Sequence, residues 1–138
     1  MAGYSGTPLV KKLGFKNGFR AALVNSPKAF QKELRPLPDD VTMFTGVMPK
    51  GLDLIILFTD SQQTLLKEFH RLAGKLVQNG MLWIAWPKKA SGVNTDLSES
   101  IVRGIGLDAG LVDVKICAVN DVWSGLKFVY RLSDRKSL

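Results

Sequence analysis

Trp86-Pro87-Lys88-Lys89 is the densest concentration of usable chemistry in this 138-residue chain, with Ser91 two positions further on. It follows an unbroken apolar run, Met81 to Trp86. Proline fixes the backbone as the chain leaves that run. The indole offers a flat face, and the two ammonium groups beside it can meet phosphate or carboxylate. Such a set can hold a nucleotide base and its phosphate, with Trp86 in the wall and Lys88 and Lys89 at the mouth. A tryptophan ending an apolar run can equally cap a core, with solvated lysines beyond it. Asn25, Ser26 and Lys28 form a second polar group after another apolar run, and Thr45 and Asp60 end two more. Their chemistry is hydrogen bonding and anion contact. Nothing in the chain reads as a catalytic or metal-binding set. His70 is the single histidine and has no second histidine or cysteine near it. There is no G-x-S-x-G elbow, and the lone Cys117 reads as a small core residue.

These residues are placed by alternating strands and helices. Thr7-Pro8 predicts a helix cap followed by proline at the first helical position, opening a short helix that Gly14 ends. Phe19 to Asn25 is the first strand. Ser26-Pro27 repeats the device for a helix through Phe30 to Leu34, and Val41 to Thr45 is the second strand. Asp53 to Phe58 is apolar on both faces, as suits a parallel strand covered on each side. Asp60 and Gln63 resemble a capping box for the longest helix. Its stripe of Leu65, Leu66, Phe69, Leu72, Ala73, Leu76 and Val77 runs to Asn79-Gly80. Met81 to Trp86 is the fourth strand, and Asp96 with Glu99 opens another helix. Leu111 to Ala118 and Leu126 to Leu132 are the last strands. The connection between them, Val119 to Gly125, is too short for a crossover, so they pair antiparallel. The expected fold class is α/β: a three-layer sandwich whose six-stranded, mostly parallel sheet has one antiparallel strand. It forms a single domain, 1–138, with 1–14 as an N-terminal arm and short helix.

This pattern resembles a reduced methyltransferase-like Rossmann fold, one strand–helix unit short, and by that analogy the strand order is 2-1-3-4-6-5. The segments Gly3-Tyr4-Ser5-Gly6-Thr7-Pro8-Leu9, Trp86-Pro87-Lys88-Lys89-Ala90-Ser91 and Trp123-Ser124-Gly125-Leu126-Lys127 together resemble a small bacterial family, domain of unknown function 3052. The resemblance covers essentially the whole chain and implies the methyltransferase-like fold without an established activity. In such a sheet ligands sit beyond the C-terminal strand ends. That edge should gather Asn25, Ser26 and Lys28, then Thr45, then Thr59 and Asp60, then Trp86 to Ser91. Active methyltransferases of this fold use glycines after the first strand and an acid after the second. Here Asn25 to Lys28 contains no glycine, Pro27 removes an N–H donor, and VTMFTG offers only Thr45. The expectation is therefore that the chain has no cofactor and that S-adenosylmethionine binds weakly or not at all. Gly104, Gly106 and Gly110 precede a strand instead of following one, which suits close helix packing and a C-cap.

The net charge of +7 is concentrated in residues 1–50, which carry eight Lys/Arg against three acids. A basic surface favours anionic partners. No dense Arg/Lys run or aromatic–basic interleaving marks a nucleic-acid track, so nucleic acid is not expected. The mean hydropathy is +0.07, and no apolar run approaches the roughly 20 residues of a bilayer span. With one cysteine and no secretory signal in MAGYSGTPLVKK, the expected location is the cytoplasm, without membrane attachment. The leading reading is a non-catalytic binding or regulatory domain with a small anionic metabolite or nucleotide at the sheet's C-terminal edge. One alternative is an atypical S-adenosylmethionine-dependent methyltransferase, or another small-molecule enzyme using Lys88 or Lys89 as acid/base. Another is a protein-interaction module, including a homodimer.

Overall fold

The computed structural model describes residues 7–135. The Gly3 to Gly6 part of the first family-like segment, including Tyr4, lies outside the described residues. One sheet contains β1 (Arg20–Val24), β2 (Thr42–Phe44), β3 (Leu52–Phe58), β4 (Leu76–Pro87), β5 (Leu111–Ala118) and β6 (Trp123–Tyr130). The helices are α1 (Leu9–Lys12), α2 (Phe30–Glu33), α3 (Gln62–Ala73) and α4 (Glu99–Asp108). The strand order is β2-β1-β3-β4-β6-β5, with β6 antiparallel to both of its neighbours. This is the order expected from the fold resemblance, and the tight turn between β5 and β6 accounts for their antiparallel pairing. Among the described residues no helix is long and apolar enough to cross a membrane.

Strand alternation divides the core between the two faces of the sheet. In β3, Ile55 and Leu57 point to the α3/α4 side, while Leu54, Ile56 and Phe58 point to the α1/α2 side. Leu65, Phe69 and Leu72 of α3 and Val102 of α4 fill the first face. Leu13, Phe30, Leu34 and Trp83 fill the second. Trp83 is fully buried, and its Nε1–H donates to the Leu13 carbonyl at 2.8 Å, which pins the end of α1 to the sheet. Gly125 faces this indole across the β4–β6 pair. A Cβ there would lie 3.1 Å from Trp83 Cε3 and 2.9 Å from Val119 Cγ2.

The spaced glycines behave as expected. Gly106 lets α4 approach β6 so closely that a Cβ would collide with the Phe128 ring. Gly110, at φ +96°, turns the chain just past the end of α4.

Several element ends differ from the sequence expectation. The longest helix stops at Ala73, and Leu76 and Val77 belong to β4. Leu76 pairs with Leu52, and Leu52 N–H donates to Lys75 O, so sheet hydrogen bonds outweigh the helical spacing of those two leucine-like positions. Leu66, assigned to the buried stripe, is 62% exposed. Ser61, not Asp60, caps α3, its Oγ accepting from Thr64 N–H at 3.3 Å. Ser98, not Asp96, caps α4 through Ile101 N–H. The Thr7 and Ser26 caps are also displaced: Pro8 and Ala29 occupy the N-cap positions of α1 and α2, with no side-chain cap bond.

Candidate functional site: the stepped C-terminal edge

Register sets the height at which each strand ends. Val24 pairs with Leu57, and Leu57 pairs with Ile84, but β4 runs on to Pro87. On the far side β2 ends at Phe44, opposite Ala22. At about 3.3 Å per residue, the edge drops roughly 10 Å from the tip of β4 to that of β1, then about 7 Å more to β2. The result is a ledge over β1 and β2, walled on one side by the tips of β3 and β4.

Asn25 stands at the tip of β1 and is exposed, with φ of +58°. Few residues other than glycine adopt this left-handed backbone, and asparagine is one that tolerates it. Ser26 is half-buried behind it, and Lys28 is exposed one position past Pro27. Thr45 is exposed just past β2, at the low end of the ledge. Asp60 is exposed past β3, and its carbonyl accepts from Thr95 Oγ1 at 2.7 Å.

The loop after β4 is clipped down in three places. Lys88 N–H donates to Val122 O at 2.7 Å, joining the loop to the β5–β6 turn. Ser91 Oγ donates to Lys88 O at 2.6 Å and accepts from Val93 N–H at 3.2 Å. Asp96 Oδ1 accepts from Gln62 N–H at 2.8 Å, while Gln62 Nε2 donates to Asp96 O at 2.8 Å. Lys88 is half-buried and Lys89 exposed, in a single 3-10 turn, Lys89–Ser91.

Strand order therefore brings Thr45, Asn25, Asp60 and Lys88 into one row along the edge, in that sequence. Two expected site residues are occupied structurally. Trp86 is only 5% exposed and packs in the α3/α4-side core with Leu97, so its ring caps that core. Ser91 spends its hydroxyl on the turn. The ring that does stand at the edge on the other face is Trp123, opposite Pro87 in the β4–β6 ladder and edge-on to Phe58 at 5.1 Å. Thr95 and Asp96, which tie the β4 loop to the start of α3, escaped the sequence reading because an Asp three residues before a Glu at a helix start resembles a capping box. A separate groove of about 540 Å³ lies at the opposite end of the sheet, among Val10, Phe15, Lys16 and Pro36 to Pro38, and no expected site residue lines it.

No protein-family profile and no curated protein matches this chain. Solved structures do. A ribosomal protein L11 methylase from Lactobacillus delbrueckii subsp. bulgaricus superposes with a TM-score of 0.62 at 12% identity, covering 89% of this chain and 75% of that one. A SAM-dependent methyltransferase from Aquifex aeolicus gives 0.60 at 16% identity, covering 87% and 86%. The magnesium protoporphyrin IX methyltransferase of Synechocystis PCC 6803 with bound SAH gives 0.57 at 13% identity, covering 89% and 78%. At these identities the likeness is one of fold, and it makes the sheet a methyltransferase-like Rossmann sheet. It also corrects the expectation that S-adenosylmethionine binds weakly or not at all. The same architecture is solved with SAH and with SAM in the Synechocystis enzyme. The missing glycines are weak grounds for exclusion, because Asn25 itself adopts a left-handed backbone at the tip of β1.

Proposed function

We propose that this chain is an S-adenosylmethionine-binding domain acting as an atypical small-molecule methyltransferase. The observation that carries the reading is the stepped edge, with Asn25 turned left-handed where the ledge begins. Asn25, Ser26 and Thr45 are the residues that would line the cofactor's side, with Asp60 at the centre of the row. When bound, S-adenosylmethionine supplies an electrophilic methyl group. The chain's own part is to orient and to shield. The Thr45 hydroxyl can hydrogen-bond a ribose hydroxyl where an acid would otherwise do so. A neutral bond contributes about 1 kcal/mol where a charged one contributes about 1.5–3, so affinity should be roughly tenfold weaker than with an acid. Lys88 and Lys89, on the β4 side, favour a small anionic acceptor approaching from that end. The tied-down loop after β4 gives this side a fixed wall.

The test is calorimetry with S-adenosylmethionine and its demethylated product, on the natural chain and on Thr45→Ala and Asn25→Val. Saturable binding is expected. Thr45→Ala should weaken it about fivefold to tenfold, the equivalent of one neutral hydrogen bond. Asn25→Val should weaken it further, because a β-branched residue resists positive φ. No binding at about 1 mM, roughly −4 kcal/mol, would sink the proposal. Thr45 in place of an acid also favours a second reading, cofactor binding without transfer. In that case both compounds bind and no methyl acceptor turns over.

A further inference from the structure

A cluster of unneutralised lysines occupies the α1 side of the β5–β6 hairpin. Lys115 of β5 lies directly opposite Lys127 of β6, and Lys127 lies directly opposite Trp83 of β4. The Lys127 ammonium stands 5.9 Å from the Trp83 ring centroid. Lys115 Nζ donates to Lys12 O at 3.0 Å, and Lys12 Nζ donates to Ala118 O at 3.1 Å, so the two strands and α1 hold one another's lysines in place. Burial, then the charge on Lys115, push the Lys127 pKa below the ordinary lysine range; Cys117 opposes that shift and Lys16 adds slightly to it. Among the described residues no carboxylate pairs with any of these four lysines; the ion pairs are Arg71–Glu68, Arg103–Glu99 and Arg103–Asp113.

The two carbonyl bonds and the contact with Trp83 help to fix these side chains, but they neutralise none of the charge. Like charges directly opposite on antiparallel strands are destabilising. An ammonium has three donors, and the carbonyl bonds of Lys12 and Lys115 use one each. The remaining donors belong to groups that are already positioned. Lys115 and Lys16 are exposed, and Lys12 and Lys127 are half-buried. We propose that this face is a binding site for a compact polyphosphate group, held by Lys12, Lys115 and Lys127 with Lys16 at the rim. Lys115 and Lys127 form one cross-strand pair and the two carbonyl bonds tie Lys12 to β5, so the lysines gather on one face of the hairpin and do not track along a strand as a nucleic-acid groove requires. The same chemistry is offered by free pyrophosphate and by the phosphates of a nucleotide.

The experiment follows Tm in sodium pyrophosphate, with sodium chloride at matched ionic strength as reference, for the natural chain, Lys115→Ala, Lys127→Met and the α3 control Lys67→Ala. Binding to the native state should raise Tm saturably above the chloride reference, in the natural chain and the control alike. Each cluster variant should need about tenfold to a hundredfold more pyrophosphate for the same rise, the loss of one charged hydrogen bond. Lys127→Met should also raise the anion-free Tm, since it removes a like-charge neighbour. Adenosine diphosphate, with the same two linked phosphates, binding no tighter than pyrophosphate assigns the site to phosphates alone, and tighter binding assigns it to a nucleotide. No rise beyond chloride, an equal rise in both cluster variants, or a single-stranded oligonucleotide displacing pyrophosphate at equal phosphate concentration would overturn the inference. S-adenosylmethionine carries no phosphate, so this site and the ledge stand or fall separately.

Discussion

Gly104 and Gly106 lie two residues apart in α4, and replacing each with alanine should move stability in opposite directions. In a helix interior alanine is favoured over glycine by about 1 kcal/mol. At Gly104 nothing lies within 4 Å of the added Cβ, so that gain should be realised nearly in full. At Gly106 the new methyl would fall within the Phe128 ring, 2.5 Å from Cζ and 2.6 Å from Cδ1. Phe128 cannot swing aside: it is fully buried and packs edge-on against Phe69 at 5.1 Å. Either α4 lifts from the sheet or the ring leaves its rotamer, and overpacking of this kind costs about 1–3 kcal/mol. With the colliding atom a rigid ring, the upper end applies. After subtracting the helix gain, Gly106→Ala should lose about 1–2 kcal/mol while Gly104→Ala gains up to about 1. Urea titrations followed by far-UV circular dichroism give both values, and a chain of this length should show Tm shifts of about 3–5 °C per kcal/mol. If Gly106→Ala were as stable as the natural chain, α4 would have to sit further from β6 than the structure places it.

Trp83→Phe removes the hydrogen bond to Leu13 O and leaves a buried carbonyl unpaired, so a loss of about 2–4 kcal/mol is expected; a loss under about 1 kcal/mol in urea would mean that α1 is not held this way. Ser61→Ala and Ser98→Ala each delete a helix cap and should cost about 1 kcal/mol, whereas Asp60→Ala should cost much less; near-equal losses for Ser61 and Asp60 would restore the capping role to the acid. Burial pushes the Cys117 thiol up, an effect that the charges on Lys12, Lys115 and Lys127 oppose. The folded state then keeps its proton to higher pH than the unfolded chain, so its stabilising contribution is complete below about pH 8 and fades as pH rises from there through the folded pKa. The stability gap between the natural chain and Cys117→Ala should accordingly narrow between about pH 8 and 10, and a gap independent of pH would refute the assignment.

The fold was legible because its determinants are local. A both-faced apolar run such as Leu54 to Phe58 suits an interior parallel strand, and seven residues between the last two strands are too few for a crossover helix. Those two facts set the strand types and the terminal hairpin, and the order itself comes from the resemblance to the methyltransferase-like fold. What misled was the boundary between α3 and β4. Leu76 and Val77 continue a helical stripe by spacing alone, and only the partner strand, through Leu52, tells them to extend. Acidic residues before helices misled in the same way. Asp60 and Asp96 look like caps beside Ser61 and Ser98, and the choice depends on where each backbone turns.

The placement of the candidate residues was legible and their chemistry was not, and the two halves of that statement have different causes. Position follows from topology: whichever residues end the parallel strands must meet at one edge, so Thr45, Asn25, Asp60 and Lys88 could be named as neighbours from the chain alone. Chemistry depends on backbone dihedrals and on which side chains packing has already claimed. Trp86 looked like a binding face because an indole is as good against a base as against a leucine, and only the position of Leu97 settles which it meets. Asn25 misled in the opposite direction. Counting glycines treats left-handed backbone as a property of one residue type, but the property belongs to the turn, and asparagine can make it. The lysines at 115 and 127 escaped notice for a related reason. They are twelve residues apart in sequence and unremarkable there; only the hairpin register sets them face to face, and only the structure shows that among the described residues no carboxylate pairs with either.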